Sequence, residues 1–146
     1  MKKKLLKYVL MLLLMVSCSG DAGMQAFHRF PAENWKRFEN PVLELDINRV
    51  GIFYDMWLEV HYDTAAIPED FTISVIMNSP SGEIRSRTIR LEFRHYGEDI
   101  GLLRVMLRKD FAFAEEGLFT CEIENRSQDI ETPGIKKIGI VLEKVQ

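Results

Sequence analysis

From residue 42 to residue 144 the chain repeatedly alternates apolar and polar side chains. Leu43, Leu45 and Ile47 are interleaved with Glu44 and Asp46. A period of two sends successive side chains to opposite faces of an extended strand, whereas a helix needs a period near 3.6. The pattern therefore predicts half-buried strands of antiparallel sheets. Met56, Leu58, Val60 and Tyr62 share one face of segment 55–62, and Phe71, Ile73, Val75 and Met77 one face of the next. Phe119, Cys121 and Ile123, then Ile138, Ile140 and Leu142, repeat the arrangement near the C-terminus. Strands are expected at 42–47, 55–62, 71–77, 84–94, 102–107, 118–124 and 137–144. Asn78-Ser79-Pro80-Ser81-Gly82-Glu83 reads as a turn, with Pro80 presetting φ and Gly82 free to take a positive one. Residues 31–38 and 111–116 are the two places expected to form a helical turn. The predicted fold is all-β, a single antiparallel β-sandwich of about seven or eight strands, without internal repeats.

The N-terminus is built differently. Lys2, Lys3, Lys4 and Lys7 precede an uncharged run, Tyr8 to Val16, that is almost entirely Leu, Met and Val. A basic start, a short apolar stretch and a small residue before a cleavage point make a secretory signal peptide. The run is too short to span a bilayer, which takes about 20 apolar residues. Met15-Val16-Ser17-Cys18 resembles the lipobox of bacterial lipoproteins, in which the cysteine receives a diacylglyceryl group. The organisation expected is a signal peptide over 1–17, a lipidated cysteine and tether over 18–25, and the sandwich over 26–146. Acyl chains on Cys18 would stabilise membrane attachment by about 0.8 kcal/mol for each buried CH₂.

Cleavage before Cys18 would remove four lysines and no acid, leaving 15 Lys and Arg against 22 Asp and Glu. Such an acidic domain repels polyanions, so nucleic acid is not an expected partner. Acylation of Cys18 would leave Cys121 as the one remaining thiol, with no partner for an internal disulfide. Cys121 shares its face with Phe119 and Ile123, which reads as a small buried hydrophobe.

Candidate chemistry is sparse. His28, His61 and His95 stand in three separate segments, without the close pair that a zinc site usually draws from one hairpin or helix. Ser79-Pro80-Ser81-Gly82 lacks the Gly-x-Ser-x-Gly elbow of hydrolases. Asp63, Glu69 and Asp70 form the one loop cluster that calcium could use, but strand carboxylates such as Glu44, Asp46, Glu122 and Glu124 read as solvated faces. No catalytic residue, metal or cofactor is expected. Trp57 faces away from Met56 and Leu58, and exposed aromatics can stack on sugars or anchor interfaces. Trp57, Tyr54 and Tyr62 are the candidate recognition surface, and Trp35 is expected to plug one end of the sandwich.

The order of several motifs resembles the gliding motility lipoprotein GldH family of Bacteroidetes. Phe30-Pro31 with Trp35 and Pro41-Val42, then Met56-Trp57-Leu58-Glu59-Val60 and Ser79-Pro80-Ser81-Gly82, carry the likeness. Gly117 to Glu124, Pro133-Gly134-Ile135 and Ile138 to Lys144 complete it, so it covers nearly the whole mature chain. The stretch from Ile84 to Leu107 departs from the family pattern by carrying fewer glycines and more arginines. The resemblance implies an accessory or structural lipoprotein of a gliding-motility or associated protein-secretion assembly, partnered by other envelope proteins, with the outer membrane as its expected location. It implies no catalytic residues. The reading that competes with it is a carbohydrate-binding surface lipoprotein.

Overall fold

The computed structural model describes residues 23–93 and 101–146, so the leader, Cys18 and His95 lie outside the described residues. Ten strands follow one another without a helix among the described residues. They are β1 (Gln25–Arg29), β2 (Asn34–Lys36), β3 (Val42–Ile47), β4 (Phe53–Tyr62) and β5 (Asp70–Asn78), then β6 (Ile84–Glu92), β7 (Gly101–Ala112), β8 (Gly117–Asn125), β9 (Glu131–Pro133) and β10 (Ile135–Lys144). One four-stranded sheet has the order β1-β10-β4-β7, the other β3-β8-β5-β6, and β2 and β9 form a short ribbon. All the pairings are antiparallel. The fold is a β-sandwich, as the alternation predicts.

Its core is the set of inward positions. Leu43, Leu45 and Ile47 of β3 meet Met56, Leu58 and Val60 of β4, Ile73 of β5, Cys121 and Ile123 of β8, and Ile138, Ile140 and Leu142 of β10 in one buried cluster. Truncating a wholly buried Leu or Ile in such a core costs about 2–5 kcal/mol, so period-two burial across both sheets decides the fold. Trp35 is fully buried, packs against Phe30 and Phe71, and donates its indole N–H to the carbonyl of Glu39 at 2.6 Å. It closes the core at one end, as expected.

Three local expectations are corrected. Residues 31–38 form a turn followed by β2, because Asn34, Trp35 and Lys36 pair with Pro133, Thr132 and Glu131 of β9. Residues 111–116 are the end of β7 and a bend. The sheet also begins inside the expected tether: Gln25 pairs with Val141, and the amide of Leu142 donates to the carbonyl of Met24 at 2.8 Å.

Two devices shape one end of the sandwich. The turn after β5 has Gly82 at φ +92°, with the amide of Glu83 donating to Ser79 Oγ at 2.9 Å. Pairing between β4 and β7 shifts register on either side of Met56, so β7 carries extra residues there. Asp110 takes φ +48° within that bulge and donates its amide to Asp55 Oδ1 at 3.0 Å. Bulges bend a strand and re-aim its side chains.

Candidate functional site

The three expected recognition residues do not form one surface. Tyr54 is 8% exposed and Tyr62 5%, both facing the core, where Tyr54 meets Phe113 edge-on and Tyr62 meets Phe93. The parity of β4 explains this: Tyr54, Met56, Leu58, Val60 and Tyr62 share the inward side, and Trp57 takes the other. A platform of Trp57 with both tyrosines is therefore not present.

Trp57 instead belongs to a charged, aromatic strip across the outside of the β1-β10-β4-β7 sheet. Arg104, from β7, lies 4.5 Å from the centre of the Trp57 ring. Two carboxylates pin that guanidinium: Glu59 Oε1 at 2.7 Å from its Nε and Glu143 Oε1 at 2.6 Å from its Nη2. The hydrogen bond that Arg104 donates to Glu143 raises its pKa further, against partial desolvation. Next along the strip, His61 Nε2 lies 3.6 Å from Glu59 Oε2 and its ring meets Phe27 edge-on. Burial, then the charge of Lys137, lowers the His61 pKa against the opposing pull of Glu59. Phe27 in turn lies over Gly139, with the Lys137 ammonium 4.5 Å from its ring centre.

The remaining candidates are structural. Cys121 is fully buried, and desolvation pushes its thiol up to about 12, which keeps it protonated and unreactive. His28 lies beside Glu39, its Nε2 3.5 Å from Oε1, and its ring meets Phe30 edge-on. In the loop cluster weighed for calcium, Asp63 accepts the amide of Ala65 and Asp70 accepts Arg90. No group of three His, Cys, Asp or Glu side chains able to hold a metal occurs among the described residues. Glu115 sits beside Ser79 and Ser81, but the Ser81 amide holds its carboxyl below the usual range, which makes it an acceptor and a poor proton donor.

Between β6 and β7, the edge strands on one side of the sandwich, a cavity of about 390 Å³ opens onto Met56, Val75, Met77 and Leu107. Arg85, Arg87 and Arg108 line its mouth. Arg87 reaches across the gap and donates to the carbonyl of Leu107 at 2.7 Å, strapping the two edges together.

Exposed apolar side chains gather at the two ends. Val50, Phe53, Leu118 and Val145 share the end where β3 and β8 meet the starts of β4 and the chain terminus. Phe38, 85% exposed, and Ile130, 74% exposed, stand by the β2–β9 ribbon, where the Arg37 amide donates to the Ile130 carbonyl. The available sequence signal for Phe53 and Leu118 is that each is apolar at an outward position of its strand. No helix among the described residues is long and apolar enough to cross a membrane.

No protein-family model matches the chain, and no curated protein matches it. Among solved structures, an exo-β-1,3-galactanase from Phanerochaete chrysosporium with galactose superposes with a TM-score of 0.42 at 9% identity, over 84% of this chain and 26% of that one. An arabinose-bound α-L-arabinofuranosidase gives 0.39 at 6% identity, over 88% of this chain and 27% of the other. This chain thus spans about a quarter of the length of either enzyme.

Proposed function

We propose that this protein is a non-enzymatic lipoprotein of the cell envelope, anchored through Cys18, that serves as an accessory or structural part of a gliding-motility or associated protein-secretion assembly. The observation that carries the reading is the leader itself: a basic, then apolar stretch ending in Met15-Val16-Ser17-Cys18, only seven residues before β1 begins at Gln25. A rigid sandwich on so short a leash suits a fixed part of an envelope complex. Phe38 and Ile130 offer an apolar contact to an envelope protein at the end remote from β1's start. The competing carbohydrate reading loses its platform, since Tyr54 and Tyr62 face the core and Arg104 lies over Trp57.

The test is a crosslinking pull-down from intact envelopes, with a photoreactive residue in place of Phe38. Recovery of motility or secretion components, abolished by Ile130→Asp, supports the assembly role. Retention on a glycan matrix that disappears in Trp57→Ala, with no protein crosslinked, would replace it with the sugar-binding one.

A further inference from the structure

The anchor, if attached where the lipobox puts it, also fixes which part of the sandwich meets the bilayer. β1 runs antiparallel to β10, with the Leu142 amide bonded to the Met24 carbonyl. The chain therefore enters the sandwich from the end at which β10 finishes. Gly23 lies against Leu142 and Glu143, two residues short of Val145, or about 7 Å along a strand. Cys18 lies five positions before Gly23, and a fully extended chain of that length reaches about 17 Å. An acyl group on Cys18 thus reaches at most about 10 Å past that end and stays within about 17 Å of Gly23. The opposite end lies about 30 Å away along the ten residues of β4, out of the tether's reach.

The end within reach carries a group of exposed apolar side chains. Phe53 is 54% exposed, Leu118 48%, Val50 44% and Val145 40%. They come from three separate stretches of chain: the loop and first residue of β4 over 50–53, the start of β8 and the C-terminus. The Val145 amide donates to the Phe53 carbonyl at 2.9 Å, which keeps two of them side by side. Phe53 and Leu118 occupy outward positions of alternating strands, where the opposite sign of polarity is normal. Charges of both signs neighbour them in sequence and register, with Arg49, Lys109 and Lys144 against Asp46, Asp55 and Glu116, so attraction to an anionic surface does not explain the cluster. Apolar side chains held beside a lipid anchor gain by leaving water for the interface.

We infer that Val50, Phe53, Leu118 and Val145 insert into the interfacial region of the phospholipid bilayer, so that the sandwich stands on this end and presents the Phe38 and Ile130 end to partners. This rests on the Cys18 anchor proposed above. The acylated full chain, reconstituted in phosphatidylcholine vesicles, tests it through nitroxide labels at Phe53→Cys and Val145→Cys, with Ile130→Cys as the far-end control. Cys121 is buried and does not compete for the label under native conditions. Collision of positions 53 and 145 with dissolved oxygen but not with a water-soluble nickel chelate, and the reverse at 130, is the expected result. An acylated chain whose positions 53 and 145 are as wet as 130 overturns the inference and leaves the anchor standing. Spin–spin broadening between labels at 53 would assign this end to a second copy of the chain and overturn it likewise. A chain without acyl groups by intact mass removes the anchor and this inference together.

Discussion

Arg104 lies over the ring of Trp57, 4.5 Å from its centre, and is held there by Glu59 of the adjacent β4 and Glu143 of β10, the strand beyond it. The indole that parity turns outward is thus covered by a residue from β7, in a row that also ties β10 to β4. Arg104→Ala should expose the indole and leave two carboxylates facing each other. A loss of about 1–2 kcal/mol is expected from the lost cation–π and ion-pair contacts. Denaturant unfolding would report the loss, and a red-shifted, more readily quenched Trp57 emission would report the uncovering. An unchanged emission would mean that Arg104 does not shield Trp57 in solution.

Gly139 makes room for the same strip. A Cβ there would lie 2.2 Å from Phe27 Cδ1 and 2.5 Å from the Ala26 carbonyl oxygen, and the second contact is backbone. Gly139→Ala is therefore expected to displace β1 from β10 and to destabilise by about 1–3 kcal/mol, as overpacking usually does. Hydrogen exchange should show the loss first in the amides pairing these strands. Protection equal to that of the wild type would contradict the close approach.

The His61 pKa is lowered from 6.5 in the folded protein, chiefly by burial and then by Lys137. The folded state therefore holds the proton less tightly than the unfolded chain. This contribution is neutral at pH well above 6.5 and costs stability progressively as pH falls through 6.5 and then through the folded value. Unfolding measured from pH 8 to pH 5 should show that decline, and His61→Gln should remove part of it. A histidine variant with the wild-type pH profile would place the proton linkage elsewhere.

Much of the sandwich was legible because alternation and burial are the same physical fact in an antiparallel sheet. Leu43, Leu45 and Ile47, then Met56, Leu58, Val60 and Tyr62, then Phe119, Cys121 and Ile123 all face inward as their spacing requires. Cys121 was readable as core from its neighbours alone. β1, β2 and β9 were not. Two of them are only three residues long, and all three exist through partners distant in sequence, as with Trp35 opposite Thr132. The recognition surface failed for a local reason: an aromatic cluster in sequence spanned both parities of one strand, so Tyr54 and Tyr62 went to the core. The cover over Trp57 was invisible because Arg104 arrives from a strand 47 positions later. The exposed apolar group of Val50, Phe53, Leu118 and Val145 was invisible too, since it is assembled from three stretches of chain that only the fold brings together.

The anchor is the central claim, and intact-mass analysis of the protein purified from the membrane fraction tests it most directly. The account predicts a chain that begins at Cys18 and carries the added mass of a diacylglyceryl group, with Cys18→Ser leaving the membrane fraction. A membrane-free chain cut at another position, or one beginning at an unmodified Cys18, would contradict it.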